Sequence, residues 1–252
     1  MKFMTKNDYK ILSNRRLTHK TWVMTLSGDT SGISGPGQFV NVAIPGKYLR
    51  RPISICDYSH ERGEIVLLYD VVGEGTAAMS RMIPGNTLNM LNGLGRGFST
   101  DADCRRPLLL GGGIGCAPLM NLARNLVRQG KQPVAILGYN TKTDGFGMEE
   151  WFHEIGVEAH IATVDGSQCT KGFVTDVIRE KNINGDYFYG CGPLPMLRAI
   201  CIGVDLPGEV SMEARMGCGF GACMCCSLET TVGSRRICKE GPVFRKEELI
   251  WK

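Results

Sequence analysis

Along the first hundred residues, hydrophobic positions come in short runs of strand length. Runs at 10–13, 21–26, 38–42 and 64–70 are separated by turn chemistry such as Ser34-Gly35-Pro36-Gly37 and Glu61-Arg62-Gly63. Many short strands with regular turns predict a small closed or partly closed antiparallel barrel. From Pro107 the pattern changes. Strand-like runs at 108–110, 134–139, 158–163 and 186–189 alternate with helix-like stretches at 119–129, 148–155, 174–181 and 194–202. That alternation predicts a Rossmann-like parallel sheet with helices on both faces. A glycine-rich stretch at 93–98, expected to be flexible, and a polar one at 99–106 separate the two patterns. The predicted spans are 1–100 for the barrel, 101–206 for the α/β unit and 207–252 for a small C-terminal module.

Composition sets the class without changing this picture. With 43% hydrophobic and 21% charged residues among 252, there is enough apolar mass for a soluble globular core. A net charge of +4 with no basic run argues against nucleic acid. No apolar run has the length of a membrane span, and the N-terminal stretch lacks the apolar core of a signal peptide. Eleven cysteines in such a chain point to a reducing, cytoplasmic setting and a metal site, not to disulfides.

The strongest chemical signal is the segment from Met216 to Cys226. Cys218, Cys223 and Cys226 have the spacing C-x4-C-x2-C of a plant-type [2Fe–2S] loop, and Cys238, the only cysteine downstream, supplies a fourth thiolate. Gly217, Gly219 and Gly221 interleave the loop, where backbone N–H groups must approach sulfur. The rival is zinc, whose structural sites usually take two C-x2-C pairs where this chain has one. Cys225 stands beside Cys226 and is set aside by the spacing.

Four other fragments are candidates for cofactor chemistry. Arg51-Pro52-Ile53-Ser54 offers Arg51 and Ser54 to a diphosphate or ring edge, the alternative being an edge strand with a surface arginine. Gly73-Glu74-Gly75-Thr76 reads as glycines, a Thr N-cap and a helical turn, an arrangement that suits a phosphate or an ordinary capped turn. Gly111-Gly112-Gly113-Ile114-Gly115 lies at a strand-to-helix turn where a dinucleotide pyrophosphate would rest. It departs from G-x-G-x-x-G, and no acidic residue ends the next strand, so a nucleotide site of another kind is expected, the alternative being a simple tight βα turn. Cys191-Gly192-Pro193 ends a strand at the ligand-facing edge, where Cys191 would face a nicotinamide and assist hydride transfer, or pack as a buried thiol. The segment after the second strand of the α/β unit carries one cation, Lys142, beside Asp144, which favours NAD(H) over NADP(H).

Taken in order, RPIS, GEGT, GGGIG-x-x-P, CGP and C-x4-C-x2-C-x11-C resemble the ferredoxin reductase-like flavoproteins. Within them the chain is most similar to the family of electron-transfer subunits of type B, NAD-dependent dihydroorotate dehydrogenases, over nearly its whole length. Residues 163–176 resemble that family too, with Cys169 where glycine is usual. The resemblance implies an FAD-binding barrel in which Arg51, Pro52, Ile53 and Ser54 line the flavin and its diphosphate. Leu68, Tyr69 and Asp70 would flank the cofactor, and Gly75 and Thr76 would hold a phosphate. It implies NAD(H) as substrate at Gly111, Gly112, Gly113, Gly115, Cys191, Gly192 and Pro193, and a [2Fe–2S] cluster on Cys218, Cys223, Cys226 and Cys238. It also implies an FMN-containing catalytic subunit that oxidises dihydroorotate to orotate, in a heterotetramer of two of each. Phe220, Met224 and Pro242-Val243-Phe244 are the apolar groups expected at that interface. The alternative is a flavin/iron–sulfur reductase subunit serving another partner, in a ferredoxin reductase, a sulfide dehydrogenase-like or a glutamate synthase-like complex.

Overall fold

The computed structural model describes residues 4–251; residues 1–3 and 252, which belong to the first and last predicted spans, lie outside the described residues. The first half is a closed barrel of six antiparallel strands: β1 (Thr5–Arg16), β2 (Thr21–Ser27), β3 (Phe39–Val42), β4 (Arg51–Ser59), β5 (Glu64–Asp70) and β6 (Thr87–Leu94), in the order β1-β2-β5-β4-β3-β6. Alternation sends Tyr9 and Ile11 of β1 inward while Asp8 and Lys10 face solvent. Met24, Leu26, Val40, Ile55, Leu67 and Met90 complete the filling, each fully buried side chain stabilising the fold by roughly 1.5–3 kcal/mol. A short helix, α1 (Glu74–Ser80), buries Met79 in this core, and Asn14 Nδ2 donates to the Met79 and Met82 carbonyls at 2.9 Å each.

Two local expectations are corrected. Gly93 and Leu94 belong to β6 and are not part of a flexible stretch. Their neighbourhood is glycine-rich because the chain passes close to itself: a Cβ on Gly93 would collide with the Gly32 backbone. Thr76 is not the N-cap of α1. Gly73 is, and the Thr76 hydroxyl lies inside the first turn, accepting from Val72 N–H at 3.0 Å.

The second half is a seven-stranded sheet. Its strands are β7 (Pro107–Gly112), β8 (Val134–Tyr139), β9 (Glu158–Thr163), β10 (Thr170–Lys171), β11 (Tyr187–Cys191), β12 (Gly208–Ser211) and a later strand, Val243–Arg245, in the order β10-β9-β8-β7-β11-β12 followed by that last strand. All pairs are parallel except the last. Helices α2 (Pro118–Arg128), α3 (Met148–Glu154), α4 (Val174–Glu180) and α5 (Leu194–Gly203) form the crossovers. The chain winds from β7 toward β10, then returns to place β11 on the other side of β7. The crevice at the carboxyl ends of β7 and β11 is therefore the topological switch point, where ligands bind in open α/β sheets.

Between β12 and the sheet's last strand lies a hairpin, β13 (Ser227–Thr230) with β14 (Gly233–Arg236), so Val243–Arg245 becomes β15. The segment 207–251 thus contributes two strands to the α/β sheet and, between them, a cysteine loop and a hairpin. The barrel and the sheet share a core. Val23, Cys56 and Leu68 pack with Leu109, Leu119 and Met120, and Arg124 and Asn121 of α2 engage the Asp57 carboxylate of β4 at 3.1 and 2.6 Å. Among the described residues no helix is long and apolar enough to cross a membrane.

Candidate functional site

Arg51, Pro52, Ile53 and Ser54 open β4, each half-buried, and pair in register with Val42 back to Phe39 of β3. The Arg51 side chain lies across Gly75, where any Cβ would collide with its guanidinium. Two fragments separate in sequence thus meet, an arginine over a glycine at the start of α1. Leu68 and Tyr69 commit their side chains to the core, and the Tyr69 hydroxyl donates to Asn14 Oδ1 at 3.0 Å, so what they offer a cofactor is backbone. Asp70 accepts from Thr21 Oγ1 at 2.7 Å.

The crevice at the switch point opens into a cavity of about 380 Å³ between barrel and sheet. Gly112, Gly113 and Pro193 line it, with Tyr139, Phe146 and Met196 as its apolar wall. Lys20 and Asp70 close its barrel side, and Lys20 Nζ lies 3.2 Å from Asp144 and 3.8 Å from Asp70. The other predicted residues build the wall from behind. Cys191 stands opposite Gly111 in the β11–β7 register. A Cβ on Gly115 would collide with the Cys191 carbonyl, and one on Gly192 with Met196 and the Gly112 backbone. Only bare backbone lets these ends meet. Cys191 is buried, and burial pushes its thiol up to about 12 against an opposing bond from Ser211. It is a neutral thiol behind the cavity wall. Cys169, at φ 53, holds the left-handed conformation that glycine takes without strain.

Lys20, Phe146 and Met196 escaped the reading of the sequence. Lys20 sits in a turn between β1 and β2, and nothing local marks it. Phe146 and Met196 look like ordinary core positions.

The cysteine loop runs from β12 to β13. Ala222 N–H and Cys223 N–H point at Cys218 Sγ at 3.2 and 3.5 Å, and Cys218 N–H at Cys223 Sγ at 3.4 Å. Burial raises the Cys218 thiol, but donors from Phe220, Cys223 and Ala222 outweigh it and bring it down to about 6. Cys238 N–H points at Cys226 Sγ at 3.4 Å, and both residues are 2% exposed. Burial and the neighbouring Cys226 push the Cys238 thiol up to about 12. Cys225, the exposed neighbour, instead directs its Sγ to the Arg215 carbonyl at 3.8 Å. Arg236 fastens the loop from below through the Gly221 carbonyl at 2.6 Å and Glu240.

The donor set therefore stands as two pairs, Cys218 with Cys223 and Cys226 with Cys238. Among the described residues no three His, Cys, Asp or Glu side chains are arranged around one ion. Two pairs with N–H groups aimed at sulfur fit a two-iron cluster, each iron taking two thiolates. Beside the loop Phe220 and Met224 are exposed, whereas Pro242, Val243 and Phe244 are buried. These last three do not belong to a docking surface: Val243 and Phe244 complete the sheet in the strand Val243–Arg245, and Pro242 bridges to Arg96.

Residues 213–250 match the family model of the iron–sulfur cluster binding domain of dihydroorotate dehydrogenase B. The chain is 41% identical over 250 residues to the dihydroorotate dehydrogenase B (NAD(+)) electron transfer subunit of Bacillus caldolyticus, covering 95% of this chain and 96% of that one. It is 38% identical to the protein of the same name from Fusobacterium nucleatum, covering 98% and 99%. Among solved structures, an NADH-dependent reduced ferredoxin-NADP oxidoreductase superposes with a TM-score of 0.88 at 28% identity, over 96% of this chain and 90% of that one. Phthalate dioxygenase reductase, at 20% identity and a TM-score of 0.64 over 84% and 70%, shares the fold.

Proposed function

The chain belongs to the family of dihydroorotate dehydrogenase B electron transfer subunits, and from that premise we propose that it carries electrons between NAD(H) and a separate FMN-containing subunit that oxidises dihydroorotate to orotate. When bound, FAD exchanges a hydride with NAD(H) and single electrons with a [2Fe–2S] cluster, which suits a relay between two-electron partners. The observation that carries this reading is the pairing of four thiols, three on the loop between β12 and β13 and Cys238 just beyond β14, in a segment joined to a sheet whose switch-point cavity faces the barrel.

We assign FAD to the barrel, NAD(H) to the α/β unit and the cluster to 207–252. Arg51 supplies a charge-assisted donor to the flavin diphosphate, with Ser54 further along the same strand and the first turn of α1 at Gly75 and Thr76 beside it. Gly112, Gly113 and Pro193 admit the dinucleotide against bare backbone, and the glycines behind them, Gly111, Gly115 and Gly192, allow that wall to close. Cys191 stands at the end of β11 as a neutral thiol behind the wall against which the nicotinamide would rest. Phe220 and Met224, exposed beside the thiols, form the apolar part of the face that receives the partner. The assembly is a cytoplasmic heterotetramer of two of each subunit.

The test is reconstitution. The isolated chain should contain flavin, iron and acid-labile sulfide, reduce artificial acceptors with NADH, and leave dihydroorotate untouched. Adding the FMN subunit should restore NAD-linked dihydroorotate oxidation. Zinc in place of iron, or turnover of dihydroorotate by the chain alone, would sink the proposal. The resemblance to the ferredoxin-NADP oxidoreductase structure supplies a second reading, in which ferredoxin is the partner. Rapid NADH-driven ferredoxin reduction without any gain from the FMN subunit would favour it.

A further inference from the structure

We infer that Asn41 is a positioning residue that ties the cluster loop to the flavin-side strand, holding Cys218 in a set place relative to residues 51–54. The inference rests on the cofactor assignments above. Asn41 lies on β3, directly opposite Pro52 of β4. It is 1% exposed. Its Nδ2 donates to the Cys218 carbonyl at 3.0 Å, across 177 residues of sequence. The backbone on its other side is also held. Arg50, next to Arg51, donates from Nη1 to the Asn41 carbonyl at 3.1 Å and to the Asn89 carbonyl at 3.2 Å. A continuous line of hydrogen bonds thus runs from the residue preceding Arg51 to the peptide that follows the Cys218 thiol.

Two features show that the contact is specific to an amide. The Asn41 Oδ1 atom is buried with no hydrogen-bond partner among the described residues, and Pro52 opposite has no N–H to offer. An unpaired buried acceptor is destabilising, so a leucine of the same shape would suit packing better. What the amide adds is the N–H to Cys218. On the loop side, Gly219 has φ +78, and any Cβ there would collide with Asn41 Nδ2. The loop is built to press its backbone onto this side chain.

The consequence concerns electron flow into the cluster. The Cys218 thiol receives N–H groups from Ala222 and Cys223, and hydrogen bonds of this kind set cluster potentials. Releasing the Cys218 carbonyl lets the thiol move relative to those donors and to the flavin strand. Asn41 does not line the cavity assigned to NAD(H), so reduction of the flavin by NADH is not involved.

The experiment uses the full chain with both cofactors and the variant Asn41→Leu. Flavin and iron contents should stay at wild-type levels, as should the rate of flavin reduction by NADH. The rate at which the cluster takes electrons from reduced flavin should fall about fivefold, the equivalent of about 1 kcal/mol for one hydrogen bond. The electron paramagnetic resonance signal of the reduced cluster should shift. Gly219→Ala, which pushes on the amide from the other side, should give a shift of its own, and a smaller one when made in an Asn41→Ala background, because the colliding partner is gone. If Asn41→Leu loses iron, the Gly219→Ala pair decides the matter. Wild-type signals and rates in Asn41→Leu, or equal Gly219→Ala effects in both backgrounds, would overturn the tether while leaving the cofactor assignments intact. A wild-type chain without flavin or iron would overturn both.

Discussion

In the crevice between β7 and β11, residues from two distant motifs touch through bare backbone: Gly115 against the Cys191 carbonyl, Gly192 against Gly112. At the cysteines, three thiols come from the loop between β12 and β13 and the fourth, Cys238, from just beyond β14, and their N–H donors come from the same segment. On the proposed assignments the crevice would recognise by shape, with the walls supplied by long-range strand pairing. The thiols would recognise as donor atoms, with the walls supplied locally. The difference predicts how each fails. Removing one side chain abolishes a ligand set, whereas adding one closes a crevice.

The largest effect is expected at the loop. Cys226→Ala should eliminate nearly all cluster iron and the visible iron–sulfur bands, while Cys225→Ala should keep both. Iron retained in Cys226→Ala but lost in Cys225→Ala would mean that the wrong neighbour was chosen. NADH reduction of bound flavin should survive in Cys226→Ala, since the crevice does not depend on the loop.

Next comes the crevice. Gly115→Ala forces a methyl into the Cys191 carbonyl, and overpacking of this kind costs about 1–3 kcal/mol. We expect a roughly tenfold rise in the KM for NADH in steady-state dye reduction, with iron content unchanged. An unaltered KM would show that the crevice tolerates what its glycines are argued to forbid. Cys191→Ala, which removes a side chain and adds none, should act more mildly. Stopped-flow flavin reduction by NADH should slow by a few-fold, the scale of about 1 kcal/mol for one contact, with FAD and iron content normal. A wild-type rate would leave Cys191 as packing alone.

The smallest effect concerns the ion pair at the cavity mouth. Burial raises the Asp144 carboxyl, but bonds from Thr141 and Lys20 outweigh it and leave it below its ordinary value. A carboxylate lowered in the folded state contributes stability above its ordinary pKa, near 4, and loses it as pH falls through the folded value. Lys20 is partly exposed, so the contribution is at most about 1 kcal/mol. Asp144→Asn should therefore melt slightly below wild type at neutral pH, with the gap closing below about pH 4. A gap that persists in acid would assign the loss to packing.

The site was legible in unequal measure. The thiol spacing was legible along the chain, and the structure sets those thiols in two pairs, Cys218 with Cys223 and Cys226 with Cys238. The barrel and the α/β pattern were legible from period, since burial imposes alternation on strands and crossovers on parallel sheets. The first turn of α1 was misread. Thr76 has the chemistry of a cap, but Gly73 reaches the extended conformation a cap requires, and the choice depends on where β5 ends. The strand β6 was not among the strand-like runs, because Gly93 within it and Gly95 just beyond it look like punctuation, and their role is close approach to Gly32 and Pro242.

What the sequence by itself determined is what local chemistry dictates: the strand and helix periods, the thiol spacing, the glycine turns and the family they resemble. Tertiary structure alone decided which distant groups meet. It laid Arg51 over Gly75, set Cys191 against Gly115, and brought Lys20 to Asp144. It also turned Val243 and Phe244 into a sheet edge buried in the core, and pressed Asn41 onto the Cys218 peptide. The physical reason is range. Propensity and spacing act over a few residues, whereas these contacts follow from barrel closure and from the order of strands in one sheet, which no local pattern encodes.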